Sequence, residues 1–225
     1  GSMKKIRLTV DAMDHITSIA ISPDGNMLAV SWLDYASGDI WDGGIQTVDL
    51  NTGKQTTLEA NHVSTIRFIS NSEFLTIECE NVPFGNSGID DKKRYREVIY
   101  QLEKGKVWEN TTHYLRTQYE DSLYADAAVY EDFQFDSEKK ADVIFVNLGT
   151  HLMIIDRNTY NILCEEDFSY PIVKMAVYDE STVLLGLADG SVERFWMDNH
   201  QKIFSVEDRS VGGFLYDSNK KVIIQ

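Results

Sequence analysis

The chain has 225 residues, enough for one large domain or two small ones, and its 43% hydrophobic and 25% charged residues are ordinary for a folded globular protein. Its 36 acidic and 21 basic side chains give a net charge of −15, which argues against nucleic acid and membrane surfaces as partners and favours basic proteins or peptides. No apolar stretch reaches about 18 residues and no signal peptide is visible, so we expect a cytoplasmic protein. Residues 1–3 look like the remnant of an expression tag.

An apolar signature at positions i, i+3 and i+5 recurs five times along the chain. Its copies are Ile16/Ile19/Ile21, Val63/Ile66/Phe68, Tyr130/Phe133/Phe135, Ile172/Met175/Val177 and Val211/Phe214/Tyr216. A turn segment rich in Ser, Asp, Asn and Gly follows the copies, and a second apolar run follows each turn. In the first four units a third and a fourth run come next. Short apolar runs bounded by turn residues predict β-strands.

Four strands per unit, at a spacing of about 40–45 residues, are typical of a propeller blade. The sequence therefore predicts an all-β fold, a β-propeller of four-stranded antiparallel blades with about four complete blades and a partial fifth. The predicted blades cover residues 15–61, 62–125, 126–170 and 171–209, and the partial fifth combines 210–225 with 5–11, where residues 6–10 read as a lone strand. A β-sandwich is the alternative, although it does not require one signature at one place in every unit.

Three stretches carry a resemblance to a known family. Residues 16–30 look like the two opening strands of a WD-repeat blade, residues 44–54 like its third strand and following turn, and residues 189–192 like the hairpin before that strand. Asp49 and Asp156 fall where the family's Asp usually lies. No Gly-His dipeptide precedes any blade, and the first three units lack the Trp-Asp pair. The chain thus resembles WD-repeat propellers, which implies an interaction scaffold rather than an enzyme.

The fifth unit is short of strands even when the N-terminal strand is added to it, and open sheet edges invite pairing with another chain. Two interpretations stay open: the chain is a piece of a larger propeller, or its ends pair irregularly or with another protomer.

Long insertions at residues 34–43, 81–97 and 110–125 all fall on one rim of the predicted propeller. They carry the aromatic residues Tyr35, Trp41, Phe84, Tyr95, Tyr114, Tyr119 and Tyr124 among several acidic ones. Aromatic anchors ringed by charge are typical of interface hot spots, and long loops are usually functional or disordered. We predict that this rim binds a protein or peptide of basic character; alternatively, the aromatic residues only anchor their own loops. The basic cluster 91–96 reads as a solvated loop tip.

No catalytic motif occurs in the sequence, and we predict neither an enzyme nor a cofactor. His15 and His62 stand at equivalent positions before the first strands of two units, and together with Asp14 they are weak candidates for a divalent metal site. The simpler interpretation is that both histidines cap strand ends, so no metal is predicted. The alternative functions are a metal-dependent propeller hydrolase or lactonase, and a ligand-sensing domain of a larger protein.

Overall fold

The structure, a computed structural model, describes residues 5–8, 15–36, 39–60, 62–79, 92–110, 114–117, 125–136, 139–196, 199–205, 215–217 and 222–224. These residues form antiparallel β-sheets, and none of them belongs to a helix long and apolar enough to cross a membrane. The chain divides into two compact units, Gly1–Gln118 and Tyr119–Gln225. Each unit is built from consecutive strands that pair with their neighbours in the sequence.

Unit 1 contains two sheets. The first has the order β1 (His15–Ile21), β2 (Met27–Ala36), β3 (Asp39–Asp49), β4 (Gln55–Glu59). The second has the order β5 (His62–Phe68), β6 (Glu73–Cys79), β7 (Lys92–Gln101), β8 (Gly105–Glu109), with β9 (Tyr114–Thr117) also pairing with β7.

Unit 2 repeats the same plan. Its first sheet has the order β10 (Ala125–Asp136), β11 (Lys139–Leu148), β12 (His151–Asp156), β13 (Ile162–Asp167). Its second has the order β14 (Ile172–Asp179), β15 (Thr182–Leu187), β16 (Ser191–Trp196), β17 (Asn199–Ser205), and a hairpin of β18 (Leu215–Asp217) and β19 (Val222–Ile224) follows. The predicted fold class, all-β with four antiparallel sheets and a partial fifth, is confirmed.

The turn between β1 and β2 shows why the chain reverses where the sequence predicts. The Asp24 carboxylate accepts hydrogen bonds from the Ser22 hydroxyl at 2.6 Å and from the Asn26 backbone amide at 3.1 Å. These bonds, that of Ser22 first, lower the pKa of Asp24. Gly25 follows with a φ of 74°, a left-handed conformation that glycine adopts without steric cost.

A β-bulge explains the spacing of the apolar signature. Residues two apart share one face of a regular strand, whereas an extra bulged residue brings residues three apart onto that face. The register of β1 against β2 shifts between Ile16 and Ser18, and that of β5 against β6 shifts between Val63 and Thr65. Strands β10 and β14 are irregular at the corresponding place. The signatures on β1, β5, β10 and β14 therefore each form one apolar row on one face of their sheet; most of the fifth lies outside the described residues.

The apolar row of β5 packs into a core of unit 1, and the rows of β10 and β14 pack into a core of unit 2. In unit 1, Val63 and Ile66 lie with Phe74 in a buried cluster that also contains Ala29 and Ile45 of the first sheet. In unit 2 the cluster joins residues of both four-stranded sheets, namely Phe133, Phe145, Ile154, Phe168, Ile172, Met175, Leu185 and Phe195 among others. Burying such side chains stabilises a fold by about 1.5–3 kcal/mol each.

The N-terminal segment differs from the prediction. Residues 5–8 form no strand, and the side-chain amide of Gln55 on β4 donates a hydrogen bond to the backbone oxygen of Arg7 at 2.8 Å. The predicted strand at 6–10 is therefore wrong over residues 6–8, because this short polar-flanked run lies beside β4 without joining a ladder. Residues 9–10 lie outside the described part of the chain.

We predict that Phe145→Ala lowers the free energy of unfolding by about 3–5 kcal/mol, the usual cost of a large cavity in a core. Phe145 is fully buried, and its ring centroid lies 5.3 Å from that of Tyr130 and 5.1 Å from that of Phe133. Urea denaturation followed by fluorescence measures the loss. Tyr170→Ala, at a position 48% exposed, is the control and should change stability by less than about 0.5 kcal/mol; equal losses in both variants would contradict the placement of the core.

Candidate functional site

The first predicted loop, residues 34–43, is a hairpin whose two strands continue the sheet. Asp34 pairs with Asp42, Tyr35 with Ile40 and Ala36 with Asp39. The expectation of a loop was wrong here, since β2 reaches Ala36 and β3 begins at Asp39. Tyr35 thus lies on a paired strand, and Trp41 is the extra residue at the register shift between the pairs Asp34–Asp42 and Tyr35–Ile40.

This hairpin extends beyond the four-stranded part of its sheet. Along β2, pairing with β1 ends at Leu33, which faces His15. Along β3, pairing with β4 ends at Gly44, which faces Glu59. Within the described residues, positions 34–36 and 39–42 therefore pair only with each other, and we call them the ribbon. Both backbone edges of the ribbon lack a neighbouring strand in that part of the chain.

The second and third predicted loops also contain strands. Lys92 to Tyr95 extend β7 and pair with β9, so that Lys92 faces Thr117 and Tyr95 faces Tyr114. Residues 92–96 of the basic cluster therefore lie on β7, so the predicted loop tip is wrong for them, and Asp91 lies outside the described residues. Phe84, Tyr119 and Tyr124 lie outside the described residues.

Tyr95 is not a rim residue. Its side chain is only 4% exposed, and in the register of β7 it faces Cys79 of β6 on one side and Tyr114 of β9 on the other. Tyr95 is therefore buried within the sheet and cannot serve as an exposed aromatic anchor. Tyr114 stands on the edge strand β9, and Tyr35 and Trp41 on the ribbon.

A buried carboxylate, which sequence reasoning missed, lies on the face of the second sheet. Glu78 is 1% exposed. It accepts hydrogen bonds from the Tyr100 hydroxyl at 2.7 Å, from the Thr76 hydroxyl at 3.2 Å and from the Arg96 guanidinium at 3.2 Å. A buried charge is tolerated only when such partners replace its hydration. The three donors therefore replace the water that the Glu78 carboxylate loses on burial.

Ion pairs continue this network outward. Arg96 also binds Glu109 at 3.1 Å, and Glu109 binds Lys106 at 2.9 Å. The register explains the arrangement, since Glu78 faces Arg96 across β6 and β7. Glu78 falls in a predicted strand, but Arg96 falls in the predicted loop 81–97, and the sequence does not show the register that pairs them.

The network lines a cleft of about 500 Å³ between the two sheets of unit 1. Leu58 and Glu59 of β4 form one wall, and Arg96, Tyr100 and Lys106 lie on the other. The Tyr100 hydroxyl is also 3.2 Å from the backbone oxygen of Glu59, so it bridges the two sheets. Burial, followed by the negative charge of Glu78, raises the pKa of Tyr100 well above its usual range. The charged groups bind one another, and the arrangement holds the sheets together.

The candidate metal residues do not gather into a site in the described part of the chain, where no group of three His, Cys, Asp or Glu side chains is placed to hold an ion. His15 is exposed at the start of β1, and His62 is half-buried at the start of β5. Asp14 lies outside the described residues.

Unit 2 contains a surface cluster that the sequence did not predict. The Arg194 guanidinium lies 4.9 Å from the ring centroid of Tyr178 and 5.8 Å from that of Trp196, with the Asp179 carboxylate at 3.6 Å. A guanidinium over an aromatic face is stabilised by about 0.5–1 kcal/mol at exposed sites. Arg194 and Trp196 are two apart on β16 and share one face of the strand.

We predict that Tyr100→Phe lowers the free energy of unfolding by about 1.5–3 kcal/mol at pH 7, because it removes a donor to a buried carboxylate. The raised pKa means that above about pH 10 the unfolded chain releases a phenolic proton that the folded chain keeps. Wild-type stability therefore falls with rising pH in that range, and the variant lacks this contribution. Urea denaturation at pH 7 and pH 11 should show a smaller gap at pH 11; a gap that widens would contradict the bond to Glu78.

No protein-family model and no curated protein matches the chain. Among solved structures, it is similar to the crystal structure of the C-terminal WD40 domain of Sif2, with 14% sequence identity and a TM-score of 0.50. The match covers 89% of this chain and 49% of that one, so the chain spans about half the length of the solved domain. At this identity the likeness concerns the fold alone. The chain has a WD-repeat-like β-propeller fold, which confirms the resemblance in its sequence.

Proposed function

We propose that this chain is a protein-interaction module that binds a protein or peptide of basic character through the ribbon. The observation that carries the proposal is the extension of β2 and β3 beyond their neighbours, which leaves residues 34–36 and 39–42 paired only with each other in the described structure. Binding, and not catalysis, is the function this arrangement supports.

The backbone of the ribbon offers one mode of recognition. A strand without a lateral neighbour presents a row of N–H and C=O groups, and extended peptides bind such edges by adding a strand. Hydrogen bonds to the backbone give affinity in this mode, and side chains on alternating faces give specificity.

The residue types on the ribbon favour a basic partner. Its strands contain Asp34, Asp39 and Asp42, and the whole chain carries a net charge of −15. Complementary charge accelerates the encounter of two proteins and selects among partners. Tyr35 and Trp41 belong to the residue types that dominate binding energy at interfaces.

The fold agrees with this proposal at a general level, since WD-repeat propellers commonly serve as platforms for other proteins. A fold alone does not specify a partner, so the specific part of the proposal rests on the residues of the ribbon.

We predict that the double variant Tyr35→Ala/Trp41→Ala loses at least about tenfold in capture of its partner, because truncation of aromatic anchors commonly costs more than 1 kcal/mol each. The wild type and the variant are immobilised side by side, exposed to lysate of the source cells, and the bound proteins are quantified by mass spectrometry. The proteins lost from the variant should be basic, and their capture should fall with added salt.

The matched control is Ile162→Ala/Tyr170→Ala, which truncates two exposed residues of unit 2, 39% and 48% exposed. It should capture the same proteins as the wild type. Circular dichroism and thermal melting of each variant show whether the fold is retained. If both double variants capture the wild-type set, or if the ribbon-dependent proteins are acidic, the proposal is wrong.

A further inference from the structure

The ribbon begins where a large buried side chain lies over a glycine. Trp32 of β2 faces Gly44 of β3, and both residues still pair with the outer strands β1 and β4 of the sheet. Trp32 is only 7% exposed. One residue further along, Leu33 faces Gly43, and the ribbon starts directly after this pair. The two glycines therefore mark the base of the ribbon.

The contact between the indole ring and the glycine is close. A Cβ atom on Gly44 would lie 3.1 Å from Cζ2 and 3.3 Å from Cε2 of Trp32, and 3.2 Å from the backbone oxygen of Leu58. A Cβ atom on Gly43 would lie 3.0 Å from Cδ2 of Leu33. Carbon atoms in ordinary van der Waals contact are about 3.5–4.0 Å apart. A side chain at position 44 would therefore displace the ring of Trp32.

Packing, and not a hydrogen bond, sets the orientation of this ring. The indole Nε1–H of Trp32 is buried and has no hydrogen-bond acceptor among the residues that the structure describes. A buried donor without an acceptor is destabilising. The ring consequently keeps its place through its contact with β3, and the glycine beneath it is what makes that contact available.

The position of the pair matters because two strands alone hold together poorly. An isolated two-stranded hairpin is at best marginally stable in water. Residues 34–36 and 39–42 pair only with each other in the described structure, so their support comes from the base of the ribbon. An aromatic side chain across from a glycine is one of the devices that fix the register of neighbouring strands.

We infer that the Trp32–Gly44 pair positions the ribbon: it holds the two strands in line with their sheet and keeps both edges ready for an added strand. This inference rests on the proposed function, because it gives two residues outside the ribbon a part in binding at the same site. An ordered edge loses less conformational freedom on binding than a mobile one, and such preorganisation raises affinity.

Hydrogen exchange tests the inference without any partner. Mass spectrometry of peptides that cover residues 33–43 measures the protection of the ribbon amides, and peptides from β5–β8 serve as the internal reference. Gly44→Val should lower the protection of the ribbon at least about tenfold and that of β5–β8 by less than about threefold. Valine has a higher strand propensity than glycine, so a ribbon governed by local propensity would instead become more protected.

A size exchange tests the contact itself. Trp32→Val removes most of the ring and should also lower the protection of the ribbon. In Trp32→Val/Gly44→Val the second valine enters the space that the ring has left, and exchanges that conserve volume are the best tolerated in cores. The double variant should therefore recover protection to within about threefold of the wild type, which additive damage would not allow.

Ile45→Val is the matched control. Ile45 directly follows Gly44 on β3, but it is buried in the cluster of the opposite face together with Val63 and Phe74. This variant should lower the stability of the sheet and leave the protection of the ribbon unchanged. It thereby separates a general loss of stability from a loss at the base of the ribbon.

Four results of the exchange experiment would overturn the inference. They are a wild-type ribbon that exchanges like an unfolded peptide, a Gly44→Val ribbon with unchanged or increased protection, a loss that extends equally to β5–β8, and a double variant no better protected than the two single variants.

Capture from lysate of the source cells then tests the part played in binding. Gly44→Val should reduce capture of the proteins that Tyr35→Ala/Trp41→Ala loses by at least about threefold. Unchanged capture by a variant whose ribbon has lost its protection would overturn this part. A wild type that captures no basic protein would contradict the proposed function, whereas the exchange result would still decide whether the pair positions the ribbon.

Discussion

The structure depends on one backbone irregularity, the bulge in the first strand of four sheets, which are those that begin with β1, β5, β10 and β14. Without the extra residue, side chains at i and i+3 would point to opposite faces of the strand, and one third of each apolar signature would leave the core. With it, Val63, Ile66 and Phe68 form one row that packs on the preceding sheet. The same irregularity aligns Ile16, Ile19 and Ile21. Whether a row forms part of a core or of an exposed patch depends only on whether a sheet face lies against it.

The same position in two neighbouring sheets is filled in two chemically different ways. In the first sheet Trp32 faces Gly44, and a Cβ atom on Gly44 would lie 3.1 Å from the Trp32 ring, so a large apolar side chain occupies the space above a glycine. In the second sheet, Glu78 faces Arg96 at the corresponding place, and Tyr100 completes the polar network. The apolar arrangement avoids the desolvation of charge, whereas the polar one requires correct partners and thereby disfavours other registers. The hydrogen bond from the Tyr100 hydroxyl to the backbone oxygen of Glu59 makes the packing of the neighbouring sheet part of the same polar network.

Strands with an apolar face could be predicted from the sequence, whereas strands without an apolar face were predicted to be loops. Burial of one face produces the periodicity that reveals a strand, and the ribbon carries Asp34, Asp39 and Asp42 where a sheet strand would carry apolar residues. The ribbon was therefore predicted to be a loop. The start of β7 was predicted to be a loop as well, because Arg94 and Arg96 on either side of Tyr95 give no sign in the sequence that Tyr95 is buried. The partners of Glu78 and Arg194 could not be predicted either, because they depend on register between strands. The seven aromatic residues of the predicted rim consequently separate into a buried one, three on strands at the sheet margins, and three outside the described residues.

Two surfaces of opposite character follow from this arrangement. The whole chain carries a net charge of −15, whereas the row of Ile16, Ile19 and Ile21 on β1 is apolar and half or more exposed. The ribbon contains Asp34, Asp39 and Asp42, and we propose that it binds a basic partner. Added salt screens the attraction of a basic segment to the ribbon, whereas an apolar contact does not depend on that attraction. The two surfaces therefore differ in the physical force that a contact with each would use, which is charge at the ribbon and apolar burial at the row on β1.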